Sequence, residues 1–69
     1  MSRELRYLAF AVEHYRRKKG LTGPEAARLF SEYDLYQLIL DNFFLYHIES
    51  PNNMVADLDE LIATGEVLA

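Results

Sequence analysis

The sequence predicts an all-α protein, a small bundle of three to four short helices. Apolar residues recur at spacings of three and four in several segments, which is the period of an amphipathic helix. These segments begin at residue types that cap helices, and two of them end at glycine. No stretch alternates apolar and polar residues for long enough to form a strand. With 69 residues, the chain is expected to form a single helical domain, 1–69.

The first helix is predicted from about Arg3 to Lys19. Ser2 is its N-cap, and Gly20 suits the left-handed conformation that follows a last helical turn. The expected apolar stripe comprises Leu5, Leu8, Val12 and Tyr15, with Ala9 beside it.

The second helix is predicted to begin after a capping box, in which Thr22 and Glu25 each bond the other's backbone amide. It runs to about Glu32. Its expected buried residues are Ala26, Leu29 and Phe30.

The third helix is predicted to begin at Leu35, because Asp34 and Gln37 repeat the capping pattern. It lasts until His47 or Ile48 and is apolar over most of its circumference. A helix of that kind is the element around which the others pack.

The last helix follows a turn at Ser50-Pro51-Asn52-Asn53, with Asn53 as the expected cap and Gly65 as its end. A short apolar tail, Val67 and Leu68, remains. The residues that share the buried face are Val55, Leu58, Leu61 and Ile62.

Three motifs together form a pattern that covers nearly the whole chain: Val12-Glu13-His14-Tyr15, the segment from Leu21 to Phe30, and Asp41-Asn42-Phe43 with His47. The pattern resembles a family of short bacterial helical proteins of about 70 residues, classed as a domain of unknown function. Members read I-E-x-Y, then L-S-G-x-E-x-x-x-L-F, then a tyrosine shortly before a Leu-His pair. This chain departs from that pattern at two positions. Tyr46, not leucine, precedes His47, and Phe43 stands where the family members have the tyrosine. The resemblance implies an antitoxin-like or accessory partner, often encoded near toxins of ADP-ribosyltransferase type.

Charge is divided unequally along the chain. All seven lysines and arginines lie in the first 28 residues, whereas residues 29–69 carry eight acidic side chains. Such asymmetry indicates pairing, within the chain or with a partner. The net charge of −4 disfavours nonspecific binding to phosphate backbones or anionic lipid.

Composition bears on location. Charged residues interrupt the N-terminus, so no signal peptide is expected, and the longest uncharged run, 42–48, is far shorter than a membrane span. The absence of cysteine fits a reducing compartment. The sequence therefore predicts a cytoplasmic protein that does not bind membranes.

Catalytic and metal-binding patterns are absent from the sequence. His14 and His47 are the two imidazoles, and neither has a second ligand three or four residues away. Asp57-Leu58-Asp59-Glu60 lacks the glycine and glutamate that a calcium loop requires. We therefore expect no enzyme activity, no cofactor and no metal. His47 is expected to be partly buried and to bond a backbone carbonyl.

Asn42 projects into the middle of the apolar face of the third helix, so we expect a buried polar residue there, with His47 as a second one. The usual role of a buried amide is to fix helix register. The alternative is a contact to a partner or ligand.

Two phenylalanines project among polar residues, Phe10 in the first helix and Phe44 in the third, with Ile48 beside the latter. We interpret them as a partner-binding surface. The alternative is a four-helix packing in which the short last helix or the C-terminal tail covers one of them. An acidic surface of Asp41, Asp57, Asp59 and Glu60 completes the predicted interface. Such a surface complements the basic, anion-binding site of a nucleotide-using enzyme.

The sequence thus predicts a small protein-interaction module whose partner is another protein, a toxin-like enzyme for example, or a second copy of the chain. The alternative is a nucleic-acid accessory protein that contacts RNA through the run Arg16-Arg17-Lys18-Lys19. DNA binding is not expected, because the helix that would enter the groove, beginning at Leu35, has no lysine or arginine.

Overall fold

The all-α fold is confirmed in the computed structural model, which describes residues 2–65. This part of the chain contains five helices and no strand. The first packs against the second, third and fifth. The helices are α1 Arg3–Lys19, α2 Gly23–Glu32, α3 Leu35–Asp41, α4 Phe43–Tyr46 and α5 Pro51–Thr64.

The ends of α1 and the start of α2 follow the local sequence chemistry. The Ser2 hydroxyl accepts a hydrogen bond from the Leu5 amide at 3.1 Å. Gly20 ends α1 in the left-handed region, at φ 68°, which glycine adopts without a steric cost. Both bonds of the capping box between Thr22 and Glu25 are present, at 2.8 and 3.2 Å. The predicted caps are therefore confirmed at these three points.

The predicted third helix is interrupted at Asn42, which corrects the expectation of one continuous helix to His47. The Asn42 amide side chain donates to the Leu38 carbonyl at 2.9 Å, and the Asn42 backbone N–H donates to the same oxygen at 3.2 Å. An asparagine side chain competes in this way with the helical backbone, and Asn42 leaves the helical conformation at φ −111°. The chain restarts as α4, and Asn42 is half-buried, not buried.

The start of α3 also differs from the prediction. Asp34 adopts a left-handed conformation, φ 55°, and its side chain makes no capping bond. Aspartate is one of the residues that tolerates this conformation. Gln37 donates instead to the Asp41 carboxylate at 2.7 Å.

The last helix begins three residues earlier than a cap at Asn53 would place it. The Ser50 hydroxyl accepts a hydrogen bond from the backbone N–H of Asn52 at 3.3 Å. Pro51 occupies the first turn, where a backbone N–H would have no partner within the helix, so proline costs no helical hydrogen bond there. The Asn53 side chain donates to Glu49 at 2.6 Å. Gly65 ends α5 in the left-handed region, as predicted.

The core lies between α2, α3 and α5. Its fully buried large side chains are Phe30, Leu35, Ile39, Met54 and Leu58. Helix α1 covers this core with Ala11 and Tyr15. Of the predicted stripe, Tyr15 is buried, Leu8 and Val12 pack against the core while partly buried, and Leu5 is about half exposed. The small Ala11 side chain lets α1 approach closely. The predicted apolar tail, Val67 and Leu68, lies outside the described residues.

Candidate functional site

A continuous row of aromatic rings crosses from α1 to α4. The Tyr7 ring contacts Phe10 and Phe43, with centroids 5.6 and 5.7 Å apart. His47 stacks on Phe43 at 4.6 Å and meets the edge of Phe44 at 5.4 Å. His14 stacks on Phe10 at 5.4 Å and extends the row at its other end. We call this row the aromatic strip: His14, Phe10, Tyr7, Phe43, His47 and Phe44.

The strip includes both phenylalanines that the sequence placed on the surface. Phe10 is 44% exposed and Phe44 is 77% exposed, and Ile48 beside them is 69% exposed. Their predicted exposure is thus confirmed. Leu45, in the same short segment as Phe44, is 56% exposed and was not among the predicted surface residues.

Internal hydrogen bonds hold the strip in place. The Tyr7 hydroxyl donates to the Tyr46 carbonyl at 3.3 Å. Burial, and then the nearby Glu49 carboxylate, raise the pKa of the Tyr7 hydroxyl above its ordinary value, so it stays a neutral donor. The half-buried His47 ring places Nδ1 2.9 Å from the Phe43 carbonyl oxygen, which is the role that the sequence predicted for it. The prediction that His47 is a buried polar residue is corrected in the same way as that for Asn42, because its side chain is half-buried.

Cations flank the strip at both ends. The Arg3 guanidinium lies 5.8 Å from the centre of the Phe43 ring, within cation–π range. Arg3 and Arg6 line a shallow depression of about 320 Å³ together with Tyr7, Phe43 and His47.

A second depression, of about 370 Å³, lies at the Phe10 end of the strip. Its other lining residues are Glu13, His14, Arg17 and Lys18. Within residues 2–65, the buried Nε2 atom of His14 has no hydrogen-bond partner. The surface around the strip is therefore more basic than the sequence prediction of an acidic interface implied.

Two of the predicted interface carboxylates have partners inside the protein. Asp57 accepts a hydrogen bond from the Tyr46 hydroxyl at 2.7 Å. Asp59 accepts from the Tyr15 hydroxyl and from the Lys19 ammonium, each at 2.6 Å. These bonds fasten α5 to α4 and α1. Asp41, which accepts from Gln37, and Glu60 are exposed.

The pKa values of these groups follow from the same contacts. Burial, followed by the hydrogen bond to a carboxylate, raises the pKa of the Tyr15 and Tyr46 hydroxyls well above their ordinary value. Burial alone would raise the pKa of the Asp59 carboxyl, but the hydrogen bonds from Lys19 and Tyr15 outweigh it and lower that pKa. Asp59 therefore stays ionised in the fold, opposite two neutral or cationic donors.

The basic run at the end of α1 is engaged in the same packing. Arg16 and Arg17 both donate to the Glu13 carboxylate, and hydrogen bonding from Arg16 lowers the pKa of Glu13. Lys18 donates to the Asn52 side chain at 2.8 Å and Lys19 to Asp59. Each of the four cations thus has a partner within the protein.

Two other kinds of site are absent from residues 2–65. No group of three or more histidine or acidic side chains is placed to hold a metal ion. None of the helices in this range has the length and apolar character required to cross a bilayer.

The fold and its surface define a small all-α domain with an exposed aromatic strip. The chain belongs to the family described as "Protein of unknown function (DUF3791)", whose profile matches residues 6–64. The family resemblance drawn from the motifs is confirmed at that level, as a domain of unknown function of about 70 residues. No curated protein and no solved structure matches the chain.

Proposed function

We propose that the protein is an interaction module that binds a partner protein through the aromatic strip, together with Leu45 and Ile48. The observation that carries this proposal is the exposure of large apolar side chains in one short segment, 44–48, joined by ring contacts to Phe10 on α1. Contiguous apolar surface of this kind marks interaction sites, and aromatic residues are enriched at their centres.

The energetics favour an interface over a free surface. Burying an exposed phenylalanine, leucine or isoleucine side chain is worth about 1.5 to 3 kcal/mol. Phe44, Leu45 and Ile48 lie mostly in solvent in the free chain and so retain most of this free energy for association. The rings beneath them are fixed by hydrogen bonds and stacking, which reduces the entropy lost on binding.

The partner that we propose is a toxin-like enzyme, with this chain in an antitoxin-like or accessory role in the bacterial cytoplasm. The family resemblance supports this part. In this arrangement the exposed carboxylates of Asp41 and Glu60 face the basic site of the enzyme, and the half-buried Asp57 and Asp59 add negative charge. The alternative, RNA contact through residues 16–19, gains no support from the structure, because Arg16 and Lys19 are held by Glu13 and Asp59 within the chain.

The experiment compares capture by three tagged chains in an extract of the native host. The wild type is expected to retain a specific protein, and the product of a neighbouring gene is the first to be sought. Phe44→Lys should weaken capture by at least about tenfold while the helical circular dichroism signal is unchanged, because Phe44 is exposed. Ala63→Lys, at an exposed position on α5, is the matched control and should bind normally. Capture by Phe44→Lys at wild-type strength would refute the proposal.

A further inference from the structure

We infer that the segment of the partner that occupies the strip is acidic, an amphipathic helix whose apolar residues are flanked by carboxylates. This inference rests on the proposed function and specifies the chemistry of the bound segment. It follows from the arrangement of charge along α1.

The outer face of α1 carries three arginines in line with Phe10. At 100° per residue, Arg3, Arg6, Phe10 and Arg17 fall within one narrow sector of the helix, and all four are exposed. Arg3 and Arg17 are separated by about 21 Å along the axis, at 1.5 Å per residue. A partner helix of about four turns would span that distance, with its apolar residues on Phe10 and the α4 rings between the two ends.

The charge around the strip is positive in a protein that is negative as a whole. Arg3, Arg6, Arg17 and Lys18 line its two depressions, and they outnumber the carboxylates of Glu13, in one depression, and Glu49, which lies near Tyr7. The Glu13 carboxylate is shared by hydrogen bonds from Arg16 and Arg17. Because the whole chain has a net charge of −4, this face is where an anionic segment meets a complementary potential.

The stacking on Phe10 and Phe43, two rings of the strip, favours a protein segment over nucleic acid at these two positions. Single-stranded nucleic acid stacks its bases on open ring faces. His14 is stacked on one face of Phe10, and His47 is stacked on one face of Phe43, which is also largely buried. A second copy of the chain is disfavoured as well, because a symmetric contact would bring the arginines of one strip against those of the other.

The test uses two fluorescent helical peptides with the same apolar residues, one flanked by glutamates and one by lysines. In low salt, the glutamate peptide should bind at least tenfold more tightly than the lysine peptide. Arg3→Gln/Arg17→Gln should reduce its affinity about five- to tenfold, and Arg3→Lys/Arg17→Lys should restore most of it. Arg28→Gln, an exposed arginine on α2, is the matched control and should have no effect.

Equal binding of the two peptides, or no binding of either, would overturn this inference, and so would an affinity for the glutamate peptide that the arginine variants leave unchanged. If oligouridine displaced the glutamate peptide at a lower concentration than unlabelled glutamate peptide does, the occupant would be nucleic acid. If the wild type formed a micromolar dimer that Phe44→Lys dissociates, the occupant would be a second copy of the chain. The proposed function is tested separately. If native capture depends on Phe44 but not on the arginines, the strip remains an interface and the acidic occupant alone is refuted.

Discussion

Neutralising two carboxylates of α5 would show whether the acidic second half of the chain is a folding device. Asp57→Asn/Asp59→Asn keeps the shape of both side chains and their capacity to accept the tyrosine hydroxyls, but removes the charge. A hydrogen bond to a charged group contributes about 1.5 to 3 kcal/mol and a neutral one about 1, so each change should cost about 1 kcal/mol. The Asp59 side chain is 40% exposed, and solvent screening keeps its share at the low end. The double variant should therefore lose about 2 kcal/mol.

This loss is large for a small domain. At 0.05 to 0.15 kcal/mol per residue, the free energy of unfolding of this chain is about 3 to 10 kcal/mol. Urea denaturation measures the change, and a slope of about 1 kcal/mol/M turns it into a midpoint shift of about 2 M. Glu60→Gln, the exposed neighbour, is the matched control and should shift the midpoint by little. Equal effects of the control and the double variant would show that the bonds to Tyr15 and Tyr46 do not hold α5 in place.

Three further predictions concern the same interior contacts. Asn42→Asp should lower the free energy of unfolding by about 1.5 to 3 kcal/mol, because it places a carboxylate against the Leu38 carbonyl. Asn42→Leu should lower it by about 1 kcal/mol, because it loses a single hydrogen bond. Urea denaturation of the two variants compares these losses. Because the pKa values of Tyr15 and Tyr46 are raised in the fold, the contribution of these hydroxyls to the free energy of unfolding is fully present below about pH 10, their pKa in the unfolded chain. Above that pH the free energy of unfolding should fall, by at most about 1.4 kcal/mol per pH unit for each hydroxyl. Melts from pH 9 to 11 should show a shallower loss in the phenylalanine variants. Because the pKa of Asp59 is lowered in the fold, its contribution to the free energy of unfolding is present above about pH 4 and is lost as the pH falls through its pKa in the folded state. The free energy of unfolding of Asp59→Asn should therefore depend less on pH in this acidic range.

The parts of the fold that were predictable depend on neighbouring residues. The capping box of Thr22 and Glu25 and the left-handed Gly20 are set within a few positions of the chain, and both are present. The exposure of Phe10 and Phe44 followed from helical periodicity alone. Asn42 shows the limit of that method, because its side chain competes for the Leu38 carbonyl and ends the helix that periodicity would continue.

The assembly of the site was not predictable, since it depends on contacts between distant segments. Tyr15 and Asp59 are 44 positions apart, and nothing local indicates that they bond. The strip likewise requires α1 and α4 to be adjacent, which places Tyr7 on Phe43. Helical projection found Phe10 and Phe44, with Arg6 and Arg17 beside Phe10, but not the rings of Tyr7, Phe43 and His47 that connect the two phenylalanines.

Hydroxyl-radical footprinting of the captured complex tests the central claim most directly, because it reports the solvent exposure of individual side chains. Binding at the strip should protect Phe10, Phe44 and Ile48 from oxidation by severalfold relative to the free chain. Leu5 is comparably exposed but faces another side of α1, so it provides an internal control whose oxidation should not change. If Phe44 and Ile48 were oxidised at the same rate in the complex as in the free chain, the partner would bind elsewhere and the strip would not be the interface.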